Sequence, residues 1–112
     1  MIKKALLSAV AIMAMSASLM AQNNRPRTTS ILNIYDTETG QITVVGEYKY
    51  HLEAPNWTQD GKWLIFNSGG HLYKVSPDGK SEPQMIESGY ASNCNNDHVL
   101  DPDGSGLYAS HH

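Results

Sequence analysis

The feature that most constrains this chain is a short pattern that it carries twice. Asn56-Trp57-Thr58-Gln59-Asp60-Gly61-Lys62-Trp63-Leu64-Ile65-Phe66 reads as strand, Asp-Gly turn, strand. Asp60-Gly61 supplies the positive φ that a tight hairpin turn needs, and Lys62 to Phe66 is apolar and aromatic enough for a buried strand. Sliding the sequence by 43 positions lays Asp60-Gly61 on Asp103-Gly104, Trp57 on Leu100, Leu64 on Leu107 and Ile65 on Tyr108 without a gap. A second match, at an offset of 38, pairs Ile34-Tyr35 with Leu72-Tyr73, each expected to head a strand that ends in a Gly-containing turn. Repeats of roughly 40–45 residues with four short strands each point to propeller blades.

The N-terminus precedes this pattern and is of another kind. A basic start, Met1-Ile2-Lys3-Lys4, leads into an apolar run from Ala5 to Leu19 and then into polar Asn23-Asn24-Arg25. That is the layout of a secretory signal peptide. The run of about fifteen residues falls short of the roughly twenty that span a bilayer. Residues 1–21 are therefore expected to direct export and be removed after Ala21, with Ser18 as the alternative cut. The product is expected to be periplasmic or secreted, with no membrane attachment. Residues 22–30 read as a flexible leader.

The remaining ninety or so residues suffice for one small domain. A net charge of −3, with scattered basic residues, gives no nucleic-acid surface. Cys94 is the single cysteine, so no internal disulfide can form and stability must come from packing. Cys94 reads as a small structural residue.

Residues 31–112 show strand patterning throughout and no helical periodicity, so the fold class is all-β. Ile31–Tyr35 and Gln41–Val45 form a hairpin across a five-residue turn. Two further strands follow Phe66, at His71–Val75 and Pro83–Glu87, around the turn Pro77-Asp78-Gly79-Lys80. Ser88 to Asn96 reads as a loop. Asp97–Leu100 and Leu107–Ser110 are the last two strands, around Pro102-Asp103-Gly104.

The Asn56–Phe66 motif, followed by Leu72-Tyr73 and Pro77-Asp78-Gly79-Lys80, resembles the TolB-like (WD40-like) β-propeller repeat. In that family a Trp-Ser-Pro-Asp-Gly-Lys core precedes an apolar strand and then a Leu-Tyr or Ile-Tyr strand. The first copy here has Thr58-Gln59 in place of Ser-Pro. The second keeps Pro102-Asp103-Gly104 but carries Asp101, Ser105 and Leu100 where Ser, Lys and Trp are usual. With strands lettered A to D from the channel outward, residues 31–46 supply C and D of a half blade. Residues 52–87 supply a full blade, and residues 97–112 supply A and B of another half. The expectation is a partial β-propeller whose missing blades belong to a longer parent chain.

The resemblance implies that residues just before each strand A stand at the mouth of a central channel. That nominates His51 and Glu53 at one blade, and Asn96, Asp97 and His98 (with Asn95) at the next, as ligand-binding candidates. The competing reading makes them rim residues that satisfy the backbone. No metal-ligand spacing occurs, so neither metal nor cofactor is expected. His71, His111 and His112 read as structural or chain-end residues. Trp57, Trp63, Phe66, Tyr73 and Tyr108 read as filling between blades, not as a sugar-stacking platform. Asp101-Pro102-Asp103-Gly104-Ser105 lacks the closing Glu of a calcium loop, and no nucleophile elbow is present.

The function implied is a non-enzymatic binding or scaffold segment that offers a rim and channel surface to a protein partner or a small polar or carbohydrate ligand. TolB propellers act in envelope complexes through protein contacts. The alternative is the propeller part of an enzyme, either an oligogalacturonate-lyase-like metal-dependent lyase or the gating domain of a prolyl-peptidase-like hydrolase. A third reading is a defective fragment without activity. Reading the coding frame beyond codon 112 separates these expectations. Further Asp-Gly-Lys repeats are expected there, and an immediate stop codon would contradict a longer parent chain.

Overall fold

The computed structural model describes residues 28–112; the signal-peptide reading of residues 1–21 lies outside the described residues. Eight strands follow in order: β1 (Ser30–Tyr35), β2 (Ile42–Tyr48), β3 (Glu53–Trp57), β4 (Leu64–Ser68), β5 (His71–Val75), β6 (Gln84–Met85), β7 (Cys94–Leu100) and β8 (Leu107–His111). They form three antiparallel sheets, β1-β2, β3-β4-β5-β6 and β7-β8. The described residues contain no helix. They form a partial propeller, one four-stranded blade between two half blades.

The turns explain why the strands stop where they do. Asp36, Asp60, Asp78 and Asp103 each accept a backbone N–H two residues on, from Glu38, Lys62, Lys80 and Ser105 at 2.7–3.0 Å. The following glycines, Gly40, Gly61, Gly79 and Gly104, take φ of 70–76°, which a Cβ disfavours. Hydrogen bonds hold all four carboxyls below their ordinary value, led by Thr39 N–H at Asp36, the Thr58 hydroxyl at Asp60, Lys80 N–H at Asp78 and the Ser105 side chain at Asp103. The stability they contribute is therefore present above that value and is lost as pH falls through the lowered one.

The repeated turn is longer than a two-residue hairpin. β3 ends at Trp57 and β4 begins at Leu64. Thr58 N–H donates to the Trp63 carbonyl and Gly61 N–H to the Thr58 carbonyl, each at 2.9 Å. Lys62 and Trp63 thus belong to the loop and not to the strand. Gln59 donates to the carbonyl of Pro102, its own counterpart in the next repeat, so the two turns are stitched together.

β4 carries the core. Its side chains alternate between two faces, and both faces are covered: Leu64, Ile65, Phe66 and Asn67 are all buried. Leu64 and Phe66, with Val75 of β5, pack against Leu32, Val45 and Tyr48 of the first half blade. The Phe66 ring lies 5.6 Å from Tyr73 and 6.1 Å from Tyr48. Fully burying Phe66 contributes about 1.5–3 kcal/mol. Ile65 and Asn67, paired with Lys74 and Leu72, point the other way, toward β7.

Two expectations about repeats and links change. Tyr35 ends β1, as Val75 ends β5, so Ile34-Tyr35 does not head a strand. Leu32 and Leu72 are the buried counterparts, 40 residues apart, whereas Tyr35 is 61% exposed. A bulge that places an extra residue, Val45, opposite Leu32 and Asn33 carries β2 on to Tyr48. The link to the full blade therefore starts after Tyr48.

Gly69 and Gly70 close the β4–β5 hairpin with φ of 56° and 84°. A Cβ on Gly69 meets nothing, whereas one on Gly70 would lie 2.5 Å from the Ser92 carbonyl oxygen. Both alanine substitutions incur about 1–2 kcal/mol for a left-handed backbone. Gly70→Ala must also displace the loop before β7. Thermal unfolding is expected to show Gly70→Ala clearly less stable than Gly69→Ala, and equal midpoints would contradict this packing.

Candidate functional site

Both A strands begin irregularly, and the irregularity builds the site. In β3, Glu53 faces Asn67 and Asn56 faces Ile65, so three residue steps on β3 span two on β4. Residues three apart normally point to opposite faces of a strand. The bulge at Ala54-Pro55 brings Glu53 and Asn56 to the same one. Ala54 takes φ of 49°, the only positive value at a non-glycine among the described residues.

β7 shows the same device in a stronger form. Cys94 faces His111 and His98 faces Ala109, so four steps span two. Asn95, Asn96 and Asp97 occupy the irregularity. The Asn95 side chain holds it by accepting from Asp97 N–H at 2.8 Å and from the Ser110 hydroxyl. It also contacts His112 Nε2 at 2.9 Å. Shifted back by 43 positions, this irregularity covers residues 52–54 and overlaps the bulge of β3 at Ala54.

The structure brings the sequence-nominated residues together in two groups. His51 Nε2 and Glu53 Oε1 are 2.7 Å apart on the surface. Asn67 donates to the other Glu53 oxygen at 3.4 Å. The His51 and Asn67 hydrogen bonds, in that order, hold the Glu53 carboxyl below its ordinary value. Asn96 and Asp97 are exposed on the β7 bulge. Among the described residues no hydrogen bond joins them to the His51–Glu53 pair.

His98 is elsewhere than expected. β7 starts at Cys94, not Asp97, so His98 lies inside a strand and is only 7% exposed. Asn56 Nδ2 donates to His98 Nδ1 and to the His98 carbonyl, both at 3.2 Å. With Nδ1 accepting, the ring proton sits on Nε2. That nitrogen is buried and without a partner among the described residues, as is Asn67 Oδ1 on the same face of the full blade. Burial pushes the imidazole below its ordinary pKa. His98 thus joins two blades as a neutral acceptor, through Nδ1 and its carbonyl.

Asn56 and Asn67 were not nominated from the sequence. The signal for Asn56 was its place before Trp57 in the repeat, which puts it on the face opposite Trp57. Cys94 is buried, with its thiol 3.5 Å from the Ala91 carbonyl. Among the described residues no three His, Cys, Asp or Glu side chains converge as a metal site would need. The arrangement can offer hydrogen bonds and negative charge at an exposed rim, over a buried neutral support.

No family model matches the chain. An uncharacterized protein of Agrobacterium fabrum is 44% identical over 80 residues, which make up 71% of this chain and 27% of that protein. A solved structure from Agrobacterium tumefaciens, described provisionally as TolB, has a TM-score of 0.70 at 39% identity. It matches 78% of this chain and 31% of its own. The chain thus spans about a third or less of these relatives. Its described residues have a TolB-like fold.

His98 offers a direct check on the joint. In the native protein its imidazole resonances are expected to titrate below the ordinary 6.5. Asn56→Asp places a carboxylate against Nδ1, which favours the charged ring and should raise that pKa. Asn56→Ala leaves buried acceptors unmatched and should cost about 1–3 kcal/mol in denaturant unfolding. An ordinary pKa in the native protein, unmoved by Asn56→Asp, would remove the buried pair.

Proposed function

We propose that this chain is an exported binding or scaffold segment that presents the rim at the starts of its A strands to a partner. The observation that carries the reading is the repeated bulge. Near the starts of successive A strands it holds Glu53 and Asp97 at the surface, with His51 and Asn96 beside them. The support beneath them is rigid and uncharged, because His98 is buried and its pKa is lowered. A surface of this kind recognises by hydrogen bonds and charge.

The charge on the rim selects the chemistry. Glu53 and Asp97 put two carboxyl groups on the rim, and the only cation-forming side chain among the nominated residues there is His51, at 2.7 Å from Glu53. Cationic side chains of a protein partner suit this surface better than a sugar acid, whose carboxylate would meet like charge. Protein contact is also what the TolB resemblance implies, and the TolB-like fold of the described residues supports it. Export rests on the composition of residues 1–21.

The reading is tested by titrating a lysine-rich peptide and a neutral oligosaccharide into the full chain. Saturable, salt-sensitive binding of the peptide is expected. The Glu53→Gln/Asp97→Asn double variant should bind it at least about tenfold more weakly, a loss of about 1.4 kcal/mol. Equal affinity in parent and variant would take the rim out of recognition, and binding of the oligosaccharide alone would overturn the preference for a cationic partner.

A further inference from the structure

A cavity of about 380 Å³ opens where the link after β2 crosses the full blade. Its walls are drawn from residues 50–83, in the interior of the sequence, and its size is that of a small-ligand pocket. Two tyrosines form the larger part of them. Tyr50 stacks on Tyr48 with ring centroids 5.4 Å apart, and Tyr73 on Phe66 at 5.6 Å. Each ring is thus held from behind by a second aromatic while it lines the cavity. The link that carries Tyr50 is fixed as well. Leu52 N–H donates to the Ser30 hydroxyl at 3.1 Å, and the Ser68 hydroxyl donates to the His51 carbonyl at 2.6 Å. The walls therefore stand in place without a ligand to order them.

The charge in the cavity has one sign. Glu82 is the one carboxylate in the lining, and no lysine or arginine lines it. Among the described residues Glu82 makes no ion pair. Two lysines of these strands are engaged elsewhere: Lys49 meets Glu47 at 2.6 Å, and Lys74 Nζ lies 4.6 Å from the centre of the Trp63 ring. Lys80 borders a separate cleft. The Glu82 carboxylate is close enough to act on the rings. Burial first, then Tyr48, Tyr73 and Glu82, push the Tyr50 phenol above its ordinary value.

Electron-rich ring faces and an unpaired carboxylate favour a cation. The rest of the lining, with Pro83 and Gly69, is largely carbon, and that selects the kind of cation. A primary ammonium is a compact, strongly hydrated charge and would give up that water on entering. A methylated ammonium spreads the same charge over carbon and gives up little.

We infer that this cavity binds a quaternary ammonium group, free or carried on a phospholipid head, with Tyr50 and Tyr73 against its methyl groups and Glu82 balancing its charge. The site is separate from the rim, since neither Glu53 nor Asp97 lines it.

The test titrates choline into the full chain by calorimetry. Ethanolamine, its unmethylated counterpart, and its carbon isostere, a neutral alcohol of the same shape, are titrated beside it. Choline is expected to bind saturably, with the other two at least about tenfold weaker. Glu82→Gln and Tyr50→Leu should each weaken choline at least about tenfold, whereas Tyr50→Phe, which keeps the ring, should stay within about threefold of the native chain. All three variants should keep the native far-UV circular dichroism spectrum. Phosphatidylcholine vesicles, offered separately by co-sedimentation, show whether a lipid-borne head group enters. Binding of choline or of the vesicles that Glu82→Gln weakens supports the site, and binding of neither overturns it. Equal affinity for the neutral isostere or for ethanolamine overturns selection of a methylated cation. Undiminished binding by Glu82→Gln and Tyr50→Leu removes these residues from the site. The Glu53→Gln/Asp97→Asn variant should bind choline as the native chain does, and a loss there would contradict the separation of cavity and rim.

Discussion

A propeller blade has two faces, and both must be covered. β4 meets that demand with strict alternation. Leu64 and Phe66 serve one neighbour, and Ile65 and Asn67 the other. The two joints differ in kind. The first is an apolar cluster in which Phe66 is fully buried among Leu32, Val45, Tyr48 and Val75. The second is polar at its centre, with Asn56 holding His98. An apolar joint tolerates small shifts of one sheet over the other. A buried hydrogen-bonded joint does not, because an unmatched polar atom is costly there. The polar joint therefore fixes how far one A strand is turned relative to the next, and with it the spacing of the rim residues.

Most of the architecture was legible because the turns announce themselves. Asp-Gly pairs at a fixed distance from apolar strands marked where each strand pair begins, and the apolar run to Phe66 read as a buried strand. Legibility failed at the bulges. Alternation reads correctly only while one residue faces one residue, and both β3 and β7 break that rule near their starts. Asn95 and Asn96 have little strand propensity, so the beginning of β7 looked like loop. Its pairing there depends on side-chain hydrogen bonds from Asn95 that no local pattern reveals. The burial of His98 was hidden for a related reason. It is decided by Asn56, 42 residues away.

The bulges also show where the chain accepts strain. Ala54 holds a left-handed conformation ahead of a proline, at a cost of about 1–2 kcal/mol. In return Glu53 and Asn56 point the same way, one to the rim and one to the joint. A regular strand would have turned one of them into the opposite, apolar joint beside Trp57. Strain at this position thus serves the geometry of the candidate site. The absence of a comparable backbone outlier in β7, where asparagine side chains hold a wider bulge, shows a second solution to the same requirement.

The polar joint ties rim geometry to pH. His98 has a lowered pKa because burial disfavours its charged form. A depressed folded-state pKa contributes stability above the unfolded value near 6.5, and that contribution is lost as pH falls below it. Protonation would place a cation at a nitrogen that accepts from Asn56, turning a hydrogen bond into a clash of donors. The apolar joint has no group that titrates in this range. Mild acid should therefore loosen the second half blade before the first. Because neighbouring repeats are stabilised mainly by their shared interfaces, the half blade carrying Asn96 and Asp97 would be released while the Phe66 core stayed intact. The proposed rim recognition, which needs both A strands in register, would fail at a higher pH than the fold itself.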